Sequence, residues 1–290
     1  MRKVRTAIFP VGGLGTRFLP ATKSMPKEML PIANKPIIQY AFEEARDAGI
    51  EKFIFITGRN KNSINNHFDH AYELESKLDE KNKSQELGQV MGWLPEAGQL
   101  AFVRQQKPLG LGHAIWCARN FISRDEAFVV ILADEMMMQS KNRKRNFLGE
   151  MIDYYYTKET TSSIVAVDQI DNKDSDKYGI AKVEGDKIVD MVEKPQPKDA
   201  PSNLAITGRY ILQPEIFEYL ERFEIGSGGE IQLTDAMRSM AKNHPFYCKK
   251  IDEQRFDCGN VLGYLEANIA FALADSKISE DVKKIIKKFT

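Results

Sequence analysis

Gly12, Gly13 and Gly15 are followed at short spacing by Arg17, Lys23 and Lys27, directly after the apolar run Ala7-Ile8-Phe9. Glycines let backbone N–H groups approach an anion without Cβ interference, and Arg and Lys supply the charge that a polyphosphate needs. The familiar templates do not fit. A dinucleotide-binding turn needs a third glycine where this chain has Phe18, and an acidic residue about 20 positions on, where it has Asn34-Lys35-Pro36. No Gly-Lys followed by Ser or Thr closes a P-loop. A plain glycine-rich strand-to-helix turn remains possible, but leaves the three closely following cations without a role.

Ligands in open α/β sheets gather where strands end at their carboxyl edge, and this rule isolates further candidates. Asp134 follows the apolar run 128–132 and reads either as a carboxylate for nucleotide-held Mg²⁺ or as a loop cap. Its neighbour Glu135 is either a supporting partner or solvated. Asp257, in Arg255-Phe-Asp-Cys-Gly259, is a second possible ligand or an Asx turn. Glu193 and Lys194, before Pro195, could take sugar hydroxyls and a phosphate, or form an exposed charged turn. Gln105 precedes Gly110 in a strand–turn–helix passage. Its amide can give one hydrogen bond to a uracil edge and accept another, and Gly110 would let the base lie against backbone. His67 and His70 read as a solvated helix face, Met136–Met138 as packing, and His113 has no assigned role.

These residues need a scaffold. Short β-rich runs at 4–9, 53–57, 101–104, 128–132, 163–167, 179–184, 188–192, 205–212 and 246–251 alternate with helical patterns. The helices are expected at 36–48, 62–79, 112–121, 146–157, 214–223, 231–243, 261–274 and 279–289, with Pro36 in the first turn of the first and Gly49 as its C-cap. That order predicts an α/β fold, a mixed and mostly parallel sheet covered on both faces, in one contiguous domain. Residues 77–98 read as an exposed excursion.

Lys plus Arg and Asp plus Glu each number 41, so no global field draws nucleic acid or an anionic membrane, and phosphate binding must be local. No apolar run approaches the ~18 residues of a membrane span, and the start lacks a signal-peptide core. Cys117, Cys248 and Cys258 form no CxxC or zinc pattern and point to reduced thiols and a cytoplasmic setting.

The motifs Gly12-Gly-Leu-Gly-Thr-Arg-Phe-Leu-Pro-Ala-Thr-Lys23, Pro26-Lys-Glu-Met-Leu-Pro31, Gly110-Leu-Gly-His-Ala114, Val192-Glu-Lys-Pro195, Ala200-Pro-Ser-Asn203, Glu230-Ile-Gln-Leu-Thr-Asp-Ala236 and Phe256-Asp-Cys-Gly259 span nearly the whole chain. With Tyr178-Gly179 and Gly208-Arg-Tyr210, they resemble the bacterial UTP–glucose-1-phosphate uridylyltransferases, also called UDP-glucose pyrophosphorylases. The resemblance implies a Rossmann-like α/β/α nucleotidyltransferase fold, with residues 163–258 serving the sugar phosphate. It implies uridylyl transfer from UTP to glucose 1-phosphate with Mg²⁺. It places Gly12, Gly13 and Gly15 around the nucleotide and Arg17 on the departing β- and γ-phosphates. Lys27 falls on the α-phosphate, Gln105 and Gly110 on uracil, and Asp134 and Asp257 on the metal. Gly179 and Glu193 then address glucose, and Lys194 its phosphate. The chain departs from the family at Gly12-Gly13, often Ala-Gly, and at Asp134-Glu135, where many relatives carry two aspartates. A homodimer or homotetramer is implied, with 261–289 as the contact region. Alternatives are a dTTP-using enzyme and a non-catalytic regulatory paralogue.

Overall fold

The computed structural model describes residues 2–140 and 143–289. The chain begins with β1 (Lys3–Pro10), β2 (Pro31–Ile32), β3 (Lys35–Pro36), α1 (Ile37–Asp47) and β4 (Lys52–Thr57). Next come α2 (Asn62–His67), α3 (Tyr72–Glu80), α4 (Ser84–Met91), β5 (Leu100–Arg104), α5 (Leu111–Trp116), β6 (Glu126–Ile131), β7 (Glu135–Met138) and α6 (Phe147–Tyr155). It continues through β8 (Ser163–Gln169), β9 (Gly179–Glu184), β10 (Lys187–Glu193), β11 (Leu204–Leu212), α7 (Ile216–Leu220), α8 (Leu233–Met240), β12 (Phe246–Lys250), β13 (Gln254–Asp257), α9 (Val261–Ala274) and α10 (Ser279–Ile286).

Alternation along the strands explains the layers. Phe9, Phe53, Phe55, Val129 and Ile131 enter one core with α1 and α6, through Ile38, Phe42, Phe147 and Met151. Their neighbours Ile8, Ile54, Ile56, Phe128 and Val130 enter a second core with α5, α7 and α8, through Ile115, Leu220 and Met237. Strands buried on both faces therefore read as continuous apolar runs. All of Glu126–Ile131 and all of Leu204–Leu212 are buried.

The nine-stranded sheet has the order β5-β4-β1-β6-β11-β8-β12-β10-β9. It is mixed, as expected, but not mostly parallel: among the described residues four pairings run parallel and five antiparallel. Its parallel pairings are β5–β4, β4–β1, β1–β6 and β8–β12, while β11 and the β9–β10 hairpin pair antiparallel. β11 matters most for the site. Its end pairs with β6, Arg209 opposite Ile131, and its start pairs with β9, Ala205 opposite Ile180. The hairpin is thus carried beyond the carboxyl edge of β6, with Glu193 opposite Gly179 at its foot.

Several local expectations need correction. The helix expected over 62–79 is broken after His67 and restarts at Tyr72. The Asp69 carboxylate accepts from the His70 N–H and Glu75 from the Ala71 N–H, so side chains take donors that helix continuation would need. Pro36 stands just before α1, as its N-cap in extended geometry, and Gly49 follows the Ala48 C-cap at φ 94°. The pieces at 112–121, 214–223, 231–243 and 279–289 form shorter helices. The excursion 77–98 holds α4 and anchors itself through buried Trp93, which packs edge-on against Phe42 and Phe68. His67 is not solvated: it stacks on Trp93 at 4.7 Å and meets the Gln39 oxygen at 3.0 Å. No helix among the described residues is long and apolar enough to cross a membrane.

Candidate active site

The phosphate loop leaves β1 with the Val11 N–H bonded to the Ile56 carbonyl at 2.9 Å. Gly15 takes a left-handed φ of 65°, which favours glycine. A Cβ on Gly12 would meet Gln105 Oε1 at 3.0 Å, so this glycine allows the loop to lie against Gln105. Gly13 faces open space. The three cations then ride on successive 3-10 turns, Thr16–Phe18, Ala21–Lys23 and Lys27–Met29. Glu28 on the last turn is buried and paired with buried Lys61 at 2.8 Å. That buried pair anchors the turn and leaves Lys27 aimed the other way, at the end of β6.

There the Lys27 ammonium donates to Asp134 Oδ2 at 2.5 Å. Burial disfavours its charge, but Asp134 and Glu28 outweigh this and hold the Lys27 pKa above its ordinary value. Burial likewise pushes Asp134 up, and the Lys27 charge and hydrogen bond more than reverse it. Both groups are therefore ionised at neutral pH.

Asp257 arrives through the β7–β13 ladder, which pairs it with Glu135. It is at once an Asx turn and a site residue. Its Oδ1 accepts from the Gly259 N–H at 2.9 Å, and its Oδ2 accepts from Asn260 at 3.0 Å and the Tyr178 hydroxyl at 3.3 Å. A Cβ on Gly259 would stand 2.8 Å from Asp257 Oδ1 and 3.0 Å from Asp134 Oδ2. The two carboxylates thus share one small gap that glycine keeps open, with a guanidinium nitrogen of Arg17 at its rim, 3.6 Å from the same point. Two hard oxygens facing a phosphate loop fit Mg²⁺, which takes one or two carboxylates and completes its shell with phosphate and water. Among the described residues, no group of three or more His, Cys, Asp or Glu is placed to hold a metal without such help. Glu135 is buried, not solvated. Its carboxylate is bound by Arg255 at 2.7 Å, and burial pushes its pKa up to about 7 against that charge.

A cavity of about 570 Å³ runs past Gly12, Gly15, Lys27, Gln105, Gly110 and Lys194. A second, about 460 Å³, is lined by Arg17, Tyr178, Gly179, Thr234 and Asp257. Asp134, Glu193, Leu132 and Gln232 line both, making one continuous cleft with the Asp134 and Glu193 carboxylates at its waist. Gly179 leaves room at the second end, where a Cβ would meet Thr234 Oγ1 at 2.9 Å and Glu193 Oε2 at 3.1 Å. Lys194 adopts a φ of 46°, held by its N–H on the Tyr178 carbonyl, with its ammonium 3.6 Å from Glu193. Non-glycine residues in this region carry about 1 kcal/mol or more of strain.

At the first end, Gly110 takes a φ of 108°, and a Cβ there would come within 2.7 Å of the Ile231 carbonyl oxygen. Its freedom is required by packing against 230–231 as much as by any ligand. The Gln105 NH₂ group is already used, donating to the Gly110 carbonyl at 3.1 Å and meeting His113 Nδ1 at 3.0 Å. Its oxygen accepts no hydrogen bond among the described residues, so Gln105 offers the cleft an acceptor instead of the expected donor–acceptor pair.

Every residue to which the resemblance gives a role lines this cleft, whereas Lys23, the remaining cation of the loop, lines neither cavity. Tyr178, Thr234, Asn260, the Glu28–Lys61 pair and His113 were not assigned. Tyr178 and Thr234 lie within matched motifs, but only the fold says which way they face.

A family model described as nucleotidyl transferase matches residues 6–272. UTP–glucose-1-phosphate uridylyltransferase of Bacillus subtilis (strain 168) is 46% identical over 290 residues, covering 97% of this chain and 96% of the relative. A UTP-bound UGPase from Acinetobacter baumannii superposes with a TM-score of 0.89 at 36% identity, covering 99% of this chain and 100% of that one. A UDP-glucose pyrophosphorylase complexed with UDP-glucose gives 0.82 at 41% identity, covering 94% and 100%. Arg17, Lys27, Asp134 and Asp257 surround one cleft in a fold shared along nearly its full length with these enzymes, and the chain belongs to the nucleotidyl transferase family, among the UTP–glucose-1-phosphate uridylyltransferases.

Proposed function

We infer that this chain transfers the uridylyl group of UTP to glucose 1-phosphate, giving UDP-glucose and pyrophosphate. The observation that carries this reading is the continuous cleft, with Lys27 and Lys194 lining one cavity, Asp257 lining the second, and Asp134 lining both. A sugar-phosphate oxygen is already an anion near neutral pH, so it needs no general base to attack the α-phosphorus in line. The protein's task is to bring two mutually repelling anions together and stabilise the charge that develops. Gly12, Gly13 and Gly15 line the triphosphate, Arg17 meets the departing pyrophosphate and Lys27 the α-phosphate. An incoming phosphate competes with Asp134 for the Lys27 ammonium. Gln105 and Gly110 form the base end. Gly179 and Glu193 take glucose hydroxyls, and Lys194 the sugar phosphate. Asp134 and Asp257 would hold Mg²⁺, which when bound neutralises phosphate charge.

The same reading treats 1–290 as one nucleotidyltransferase domain acting on small molecules, not on nucleic acid or membrane. The unpaired Cys117, Cys248 and Cys258 support a cytoplasmic setting. Exposed Leu262, Leu265 and Ile269 on α9 support self-association as a homodimer or homotetramer.

Lys194 tests the sugar-phosphate end. Its side chain is 41% exposed and supports no core, so Lys194→Ala should fold normally. Loss of one charge-assisted phosphate contact should raise KM for glucose 1-phosphate about tenfold, with a smaller change in kcat. Steady-state kinetics with glucose 1-phosphate varied at saturating UTP measures this, and an unchanged KM removes Lys194 from that role.

A further inference from the structure

His113 belongs to no role assigned above, yet it touches Gln105, which lines the base end of the cleft. Its ring stacks on Trp116 at 5.8 Å and lies 6.0 Å from Phe223, while Nδ1 sits 3.0 Å from the Gln105 nitrogen and 3.9 Å from Cys117 Sγ. The direction of the Gln105 amide follows from chemistry. The Gly110 carbonyl can only accept, so the NH₂ group and not the oxygen must face it at 3.1 Å. The same nitrogen then has one hydrogen left, directed at His113 Nδ1. Two donors cannot share that bond, so Nδ1 must be the bare acceptor and the ring proton sits on Nε2. Burial, and secondarily the Arg119 charge, hold the His113 pKa below its ordinary value, which keeps the ring neutral.

Both Gln105 hydrogens are thereby consumed inside the protein. Its oxygen accepts no hydrogen bond among the described residues and lies beside Gly12, at the wall of the nucleotide cavity. We propose that His113 is a positioning residue for base selection: by occupying the second Gln105 N–H, it leaves only an acceptor facing the base, so the site takes pyrimidines with a ring N3–H and rejects cytosine. Uracil and thymine both carry that hydrogen. Cytosine presents a lone pair at N3, and two acceptors facing each other in a buried site lose a hydrogen bond and add repulsion. Without His113, one N–H is unpaired, the amide turns more freely, and a donor can reach cytosine N3.

This inference rests on the reading of Gln105 as the base-facing residue, and the test separates the two. kcat/KM with glucose 1-phosphate is measured for UTP, dTTP and CTP in the natural protein and in four variants, each checked by thermal melting. His113→Phe keeps the ring stack and removes the acceptor, and His113→Leu is the second acceptor-free variant should the first not fold. His113→Asn restores an acceptor near the Nδ1 position. Gln105→Met removes the amide. The UTP-to-CTP preference should fall at least tenfold in the acceptor-free variant, mainly through KM, and stay within about threefold of the natural value in His113→Asn. The dTTP-to-UTP ratio should hold throughout. An unchanged UTP-to-CTP preference without the acceptor, or equal loss in His113→Asn, overturns the role of His113 alone if Gln105→Met still loses selectivity. An unchanged preference in Gln105→Met overturns both readings.

Discussion

Replacing Lys27 with alanine should lower kcat by about 10²–10³-fold while moving KM for UTP much less, the size expected when one preorganised donor to developing transition-state charge is removed. The geometry makes this the largest single loss. Lys27 stands on a turn anchored by the buried Glu28–Lys61 pair, so its ammonium is held in place before substrate arrives. Asp134 and Glu28 keep its pKa above the ordinary value, so the group is charged throughout the working pH range. Lys27→Arg should rescue poorly, because a planar fork cannot occupy the position of a compact ammonium 2.5 Å from Asp134. Pre-steady-state kinetics on folded variants separates chemistry from binding, and a kcat within threefold of normal would remove Lys27 from the reaction centre.

Asp134→Asn should reduce activity by a similar factor, about 10²–10³-fold, and excess Mg²⁺ should not restore it. The substitution preserves shape and removes the charge that both Lys27 and a cation need. The change reaches further than one ligand, since Asp134 Oδ2 faces the gap above Gly259 that Asp257 also lines. Asp134→Asn therefore leaves Lys27 without its anionic partner and the gap with one carboxylate. Titrating Mg²⁺ against initial rate in the natural protein and the variant measures these effects, and thermal melting of the variant separates them from misfolding. Normal activity with a normal Mg²⁺ response would place the metal elsewhere.

How far these assignments were legible in the sequence depends on the range over which each is determined. The doubly buried strands announce themselves, because burial on both faces demands unbroken apolar runs such as 128–131. The phosphate loop was legible because glycine and cation spacing is itself the chemistry. The β7–β13 ladder was not, since its strands are separated by most of the second half of the chain and Met136–Met138 reads only as packing. Yet that ladder is what delivers Asp257 to Asp134. The break at Phe68–Ala71 is not legible because side-chain capping by Asp69 and Glu75 competes with an otherwise continuous helical pattern. The antiparallel half of the sheet was also hidden, because apolar runs do not encode strand direction. Gln105 shows the same limit at atomic scale. Residue type allowed its amide to both give and accept, and only the placement of Gly110 and His113 decides which function faces the cleft.

The most direct test of uridylyl transfer is pyrophosphate release by the purified protein with UTP, glucose 1-phosphate and Mg²⁺, followed beside UDP-glucose formation. One pyrophosphate should appear per UDP-glucose, with none when either substrate is omitted, and galactose 1-phosphate and dTTP should report sugar and base preference in the same assay. Binding of UDP-glucose without any pyrophosphate release would contradict the account and mark the chain as a regulatory relative.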